Sequence, residues 1–144
     1  MITILSALDT LIEIIKNSPL KNEITGGIYP LKRPDNSQVE DIVLLPIVQI
    51  DEVWSEGVIN ANIHVQDLHV SIKDKKTGKI FPQLQPNYNR LKELLELSKI
   101  HFEYLAGDST NNPYQMILSS HNILEGTTEK GWFVNLRFSY QNYK

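Results

Sequence analysis

The sequence predicts an α+β domain in which two helices pack on one face of a mostly antiparallel sheet. Two observations carry this prediction. Apolar residues recur at three- and four-residue spacing in two segments, and five other segments are rich in β-branched residues or alternate between apolar and polar side chains. A helix with one apolar stripe is covered most economically by a sheet. The predicted order is α-β-β-β-hairpin-α-β-β, in a single domain over residues 1–144.

The two helices are predicted over residues 3–17 and roughly 87–105. The first ends at Ser18-Pro19, because the residue before proline avoids the helical region. The second is opened by Pro86 and ended by Gly107. The apolar stripe of the first comprises Leu5, Leu8, Leu11, Ile12 and Ile15, and that of the second comprises Leu91, Leu94, Leu95, Phe102 and Leu105.

Five segments are predicted as strands: "GGIYPL", "VEDIVLLPIVQI", "VINANIHVQDL", "YQMILSSHNIL" and "WFVNLRFSY". Pro46 marks a bulge or an edge in the second, and "DEVWSEG" is predicted to be a turn before the third. The third strand alternates, with one face formed by Ile59, Ala61, Ile63 and Val65 and the other by Asn60, Asn62 and His64. In the last strand, one face is formed by Trp132, Val134, Leu136, Phe138 and Tyr140.

Residues 69–85 are predicted to form a projecting hairpin or a long loop. Two short β-like pieces flank "KDKKTGK", which places Lys73, Lys75, Lys76 and Lys79 near the tip. A long excursion from a small domain is more often functional or disordered than structural.

Composition excludes several classes of function. The chain has 144 residues, a net charge of -3 and no cysteine. The acidic balance argues against a broad basic face that coats nucleic acid, and the missing thiols exclude disulfides, thiolate metal sites and a cysteine nucleophile. The N-terminal segment lacks the features of a signal peptide, and no apolar run reaches membrane-spanning length, so no membrane partner is predicted.

The charged loop "PLKRPDNSQVEDIV" offers an enzymatic alternative. Asp35, Glu40 and Asp41 could serve as Mg²⁺ ligands of a metal-dependent nuclease, whose cleavage activity Asp41→Asn would abolish. The central strand continues as Ile-Val-Leu, without the acid-x-Lys that such sites require, and the next strand offers neutral asparagines. The four histidines His64, His69, His101 and His121 form no ligand cluster. We therefore expect no metal, no cofactor and no catalytic residue.

Other features favour a protein that assembles. The polar strand face carries short hydrogen-bonding groups instead of the lysines that usually protect an exposed strand. Trp54 lies in an acidic stretch with nothing local to bury it. Arg33 is expected to pair with Glu40 or Asp41 and to shape a loop at a subunit contact, so that Arg33→Glu impairs assembly before folding. The candidate interface residues are Arg33, Asp35, Glu40, Asp41, Trp54, Asn60, Asn62, His64, Lys73, Lys75, Lys76 and Lys79.

Two blocks of sequence resemble the tail-completion or tail-terminator proteins of tailed bacteriophages. The first has the pattern G-x-Y…RP-x-x-S-x-x-EDIV, matched by Gly27, Tyr29, Arg33, Pro34, Ser37, Glu40, Asp41, Ile42 and Val43. The second has the pattern G-V-x-N-x-NIHV, matched by Gly57, Val58, Asn60, Asn62, Ile63, His64 and Val65. The helix beginning near "PNYNRL" and the final aromatic strand extend the resemblance over most of the chain.

The resemblance implies a tail-terminator-like virion subunit that forms a closed ring at the neck or the head-proximal end of the tail. Such a ring would be a hexamer, or a dodecamer if it matches the portal. It would join the head connector to the tail or terminate the tail tube, and DNA would pass through its lumen without sequence-specific binding. The expected locations are the virion and, during assembly, the host cytoplasm. A non-virion adaptor that binds protein partners is a further alternative, which predicts a monomer or dimer.

Overall fold

The computed structural model describes residues 3–51, 54–109, 112–126 and 131–143. Within these ranges the chain has a mixed α+β fold, as predicted, with more strand than helix. The helices are α1 (Ile4–Lys16), α2 (Pro19–Glu23) and α3 (Tyr88–Phe102). The strands are β1 (Ile28–Pro30), β2 (Ile42–Asp51), β3 (Trp54–Val65), β4 (Leu68–Lys73), β5 (Ile80–Gln85), β6 (Tyr104–Ser109), β7 (Asn112–Glu125) and β8 (Trp132–Tyr143).

Six strands form one sheet in the order β1-β2-β3-β8-β7-β6, and β4 and β5 form a separate two-stranded sheet. β1 runs parallel to β2, and every other strand pair is antiparallel. The register of β2 against β3 shifts between Pro46 and Val48, which is the first of the two alternatives predicted for Pro46, a bulge or an edge.

One hydrophobic cluster joins buried residues of all three helices to the inward face of the six-stranded sheet. The alternation predicted for β3 and β8 is confirmed, because the predicted apolar residues are buried in both strands, apart from the half-buried Trp132. The stripe of α1 differs by one residue: Leu5 is exposed and Ala7 is buried instead. The buried residues of α1 are Ala7, Leu8, Leu11, Ile12 and Ile15.

Three differences from the predicted elements change the architecture. Pro19 begins the short helix α2, which the sequence analysis did not anticipate, because proline suits a first helical position. α3 ends at Phe102, and Leu105 and Gly107 lie in β6, since backbone pairing with β7 replaces the last predicted helical turn. Part of the predicted turn "DEVWSEG" belongs to β3, which begins at Trp54.

In the part of the chain that the structure describes, no helix is both long and apolar enough to cross a membrane.

Candidate functional site

The loop between β1 and β2 is organised around a buried ion pair. Arg33 is 6% exposed and Asp41 is 1% exposed. Two guanidinium nitrogens of Arg33 converge on Asp41 Oδ2, Nη2 at 2.9 Å and Nε at 3.0 Å. Nη2 also donates to the carbonyl oxygens of Val39 and Ser37, at 2.7 and 3.3 Å. These charge-assisted hydrogen bonds close the loop on itself within one subunit.

The Asp41 carboxylate is also bound from the other side of the loop. Its Oδ1 accepts a hydrogen bond from the Gly27 amide at 2.9 Å, and its Oδ2 accepts one from the Ser37 hydroxyl. Burial alone raises the pKa of Asp41, but the hydrogen bonds from Ser37, the Gly27 amide and Arg33 outweigh burial and hold this pKa below its usual value. The folded structure therefore favours the charged carboxylate.

Gly26 allows the backbone to approach this carboxylate closely. A Cβ at Gly26 would lie 2.2 Å from Asp41 Oδ1 and 2.4 Å from the carbonyl oxygen of Glu40. The Gly26 amide donates to that carbonyl at 2.8 Å. A larger residue would have to push apart the strand start and the buried carboxylate.

A second cation, Arg90 of α3, holds the other loop acid. Its Nε and Nη2 contact the two carboxylate oxygens of Glu40 at 2.7 and 2.8 Å, which is the planar two-point geometry of a guanidinium–carboxylate pair. Arg90 also binds the side chain and the carbonyl oxygen of Glu23 at the end of α2. The hydrogen bonds to Glu40 raise the pKa of Arg90 further above its usual value. Arg90 thus joins α2, α3 and the start of β2.

These contacts decide between the two predicted partners of Arg33. Asp41 pairs with Arg33, whereas Glu40 pairs with Arg90. Arg33, Glu40 and Asp41 are all buried within the subunit, and the charge of each is compensated by partners of the same chain. We therefore expect Arg33→Glu to impair folding first, because it would place a second carboxylate beside Asp41.

The remaining loop acid lies on the surface. Asp35 pairs with Lys32 at 2.7 Å, and both side chains are exposed. The hydrogen bond from Lys32 lowers the pKa of Asp35. The three acids of the nuclease alternative are thus each bound to a different cation of the same chain. Among the described residues, no group of three or more His, Asp or Glu side chains is arranged to hold a metal ion.

The polar strand face is part of a continuous surface across β3 and β8. Asn62 accepts a hydrogen bond from Asn135 at 2.7 Å, and Asn60 accepts one from Arg137 at 3.4 Å. The His64 ring lies 5.4 Å from the ring of Phe133. The predicted residues therefore share a face, and each is already engaged by the neighbouring strand. Trp54 begins β3, but its side chain lies outside the described part of the structure.

The hairpin of β4 and β5 carries the predicted lysines. Lys73, Lys75, Lys76 and Lys79 are all exposed around the turn. Asp74 organises this turn by accepting hydrogen bonds from the Lys76 and Thr77 amides, which lower its pKa. The hairpin also exposes apolar side chains that the sequence analysis did not single out: Leu68, Ile80, Phe81 and Leu84. In the sequence, only the alternation of apolar and polar residues within these short strands indicated that such side chains would be exposed.

An open cleft of about 650 Å³ separates the base of the hairpin from the β1–β2 loop. His69 and Leu84 line it from the hairpin, and Asn36 and Gln38 line it from the loop. The cleft shows that the hairpin stands apart from the charged loop instead of packing tightly against it.

Arg90 is the cation of this network that sequence reasoning missed. It lies 50 residues from Glu40 in the chain, and "PNYNRL" was interpreted only as a helix start. Its position in the first turn of α3, where a cation does not suit the helix dipole, was the available signal of a tertiary role.

No protein-family model and no curated protein sequence matches this chain.

Proposed function

We propose that this chain is a structural subunit that assembles into a closed ring at the neck or head-proximal tail end of a tailed bacteriophage virion. In this proposal the ring joins the head connector to the tail or terminates the tail tube. It is a hexamer, or a dodecamer if it matches the portal, and DNA passes through its lumen. We also propose that the two longer helices pack on one face of the sheet as they do in tail-terminator proteins.

The observation that carries this proposal is the separate hairpin of β4 and β5. Its strands pair with each other and with no strand of the six-stranded sheet in the described ranges. A two-stranded hairpin is marginally stable by itself in water, and this one exposes four large apolar side chains, including Ile80 at 65%. Apolar surface on a projecting arm is typical of a contact with another protein.

Charge supports the passage of DNA without capture. The chain has a net charge of -3, and the residues outside the hairpin are more acidic still, since four of the basic residues lie at its tip. An acidic wall repels the phosphate backbone at short range. The ion pairs of the buried Arg33 and the partly buried Arg90 support a rigid body, which a ring with fixed geometry requires.

Light scattering and sedimentation velocity on the purified chain test this proposal, followed by negative-stain microscopy of the largest species. We expect a ring of defined copy number, either for the chain alone or after addition of the adjacent connector and tail proteins. A species that stays monomeric or dimeric in every mixture would contradict the ring and favour the adaptor alternative. Magnesium-dependent cleavage of DNA that is lost in Asp41→Asn would instead support the nuclease.

The hairpin provides the matched variants for the same measurement. Replacing Ile80 and Phe81 by serine removes exposed apolar surface without disturbing the core, and we expect the assembly to dissociate. The control replaces Leu5 of α1 and Ile100 of α3 by serine. Both are also exposed apolar residues, and this variant should assemble normally.

A further inference from the structure

The open edge of β2 is the second exposed apolar surface of the subunit. β1 pairs only with Ile42–Leu44, which are three of the ten residues of β2. Beyond Leu44, the described part of the chain places no other strand on that side of β2. Ile47, Val48 and Ile50 in this stretch are each 45–49% exposed.

Exposed edges are normally blunted by lysines, by proline, by bulges, by very short strands or by a covering element. This edge carries Pro46 and the adjacent bulge at its beginning, and past them it has none of these protections among the described residues. The sequence of β2, "IVLLPIVQID", contains no lysine or arginine, and its seven residues beyond β1 are long enough to accept another strand. Pro46 interrupts only the beginning of this stretch. An edge of this kind is suited to the addition of a strand from another chain.

The two outer edges of the hairpin differ in their ability to pair with a further strand. The Asp74 amide donates to the Lys79 carbonyl at 2.8 Å, so these two residues form a hydrogen-bonded pair. Opposed residues of an antiparallel ladder alternate between hydrogen-bonded and non-hydrogen-bonded pairs, so Ser71 and Pro82, which face each other, form a non-hydrogen-bonded pair. The backbone groups of such a pair point away from the partner strand. Ser71 therefore presents an N–H group at the outer edge of β4, whereas Pro82 has no N–H to present at the outer edge of β5. The free edge of β5 therefore lacks a donor at its centre, and the free edge of β4 keeps one.

Charge favours a second copy of the chain as the partner. Residues 68–85 contain four lysines and one aspartate, a charge of +3, which leaves -6 on the remainder of a chain whose net charge is -3. The hairpin is therefore a basic arm on an acidic body, and Glu56 lies opposite Ile50 beside the open edge. The arm of one subunit and the body of another attract each other, whereas two arms or two bodies repel.

We infer that β4 of one subunit adds to the open edge of β2, residues 45–51, in the next subunit of the ring. This inference rests on the proposed ring and names its repeating contact. The six residues of β4 match in length the seven residues of β2 that lie beyond β1, and both stretches expose apolar side chains, Leu68 on β4 and Ile47, Val48 and Ile50 on β2. The contact joins two different surfaces of the same chain, so it is heterologous, and repetition by a closing rotation generates a ring.

Cross-linking through introduced cysteines tests the contact, because the chain has no cysteine of its own. One batch of full-length protein carries Val48→Cys and the other carries Ser71→Cys. A short bis-maleimide reagent should give covalent dimers when the batches are mixed, and few when either is treated alone. In the control, Ser71→Cys is mixed with Ala106→Cys, which places the cysteine on β6 at the opposite edge of the sheet. This mixture should give no covalent dimer.

A backbone substitution supplies the second measurement. Ser71→Pro removes the outward donor of β4 at a position that does not serve the β4–β5 ladder, and we expect it to raise the subunit dissociation constant at least about tenfold. Pro82→Ala restores the missing donor on β5 and should leave assembly unchanged. Circular dichroism verifies that both variants are folded.

The outcomes separate this inference from the proposed ring. If the unmodified chain forms rings but Ser71→Pro assembles normally, or Ser71→Cys cross-links to Ala106→Cys instead of Val48→Cys, the β4–β2 contact is wrong and the ring proposal stands. If the unmodified chain forms no oligomer in any mixture, both are wrong.

Discussion

Arg33 and Asp41 are charged residues that the fold has taken out of water. Each is compensated by the other and by backbone and hydroxyl groups of the same loop. A buried ion pair adds little net stability, but removing one partner leaves an uncompensated buried charge. The loop therefore depends on both residues together.

The first prediction concerns Arg33→Met. This substitution leaves the buried Asp41 carboxylate without its cation. It should lower the free energy of unfolding by about 3–5 kcal/mol, measured by urea denaturation. Lys32→Met, which removes the neighbouring exposed cation, should leave the unfolding midpoint unchanged. Equal midpoints for the two variants would contradict the buried clamp.

The second prediction concerns pH. The pKa of Asp41 is lower in the folded chain than its ordinary value of 3.8. Its contribution to stability is therefore fully present above about pH 4 and is lost as the pH falls through the lower folded pKa. Urea unfolding of the wild type and Asp41→Asn, at steps from pH 7 to pH 2.5, should show their stability difference shrinking below pH 4. A constant difference over this range would refute the assignment.

Polar side chains tie structural elements together in addition to the hydrophobic core. Arg90 links α3 to the end of α2 through Glu23 and to the start of β2 through Glu40. The planar guanidinium reaches both carboxylates because it carries several donors in a fixed geometry.

The third prediction follows from this geometry. Arg90→Lys keeps the charge but loses the two-point contact, and it should lower the free energy of unfolding by about 2 kcal/mol. Lys92→Arg, an exposed change on the same helix, is the control. A double-mutant cycle with Glu40→Gln should show that the two residues are coupled, and additive effects would show that they are not.

The fourth prediction concerns the hairpin as an element. Its two strands share no ladder with the six-stranded sheet in the described ranges. Replacing residues 69–84 by a short Gly/Ser loop should therefore leave the body folded, with a circular dichroism spectrum and a cooperative transition similar to those of the intact chain. The same variant should no longer assemble. Loss of folding would show that the hairpin belongs to the core.

At the scale of the whole molecule, the subunit combines a firmly cross-braced body with exposed apolar surface at the hairpin and the β2 edge. A protein with this distribution gains stability when the exposed surfaces are covered, because association removes apolar area from water.

The fifth prediction uses this link between association and stability. If folded subunits assemble, mass action makes the melting temperature rise with protein concentration. Differential scanning calorimetry over a hundredfold range of concentration should detect the rise in the intact chain. The hairpin-replaced variant should melt at one temperature throughout that range, and a similar rise in both would mean that the hairpin is not the contact.

The sequence by itself determined the α+β class and the apolar faces of β3 and β8, and it marked Pro46 as a bulge or an edge, because these depend on periodicity and backbone chemistry within one segment. The sequence also narrowed the ion-pair partner of Arg33 to Glu40 or Asp41, since Arg33 and Asp41 lie only eight residues apart in one loop.

The tertiary structure alone decided the features that depend on distant contacts. It placed Arg90 on Glu40 across 50 residues, and it converted the end of a predicted helix into β6 through pairing with β7. It also decided that the charged loop is an internal brace, because charge in a sequence does not reveal whether its partner lies in water or inside the fold. The exposed edge of β2 has the same origin, since β1 covers only its first three residues.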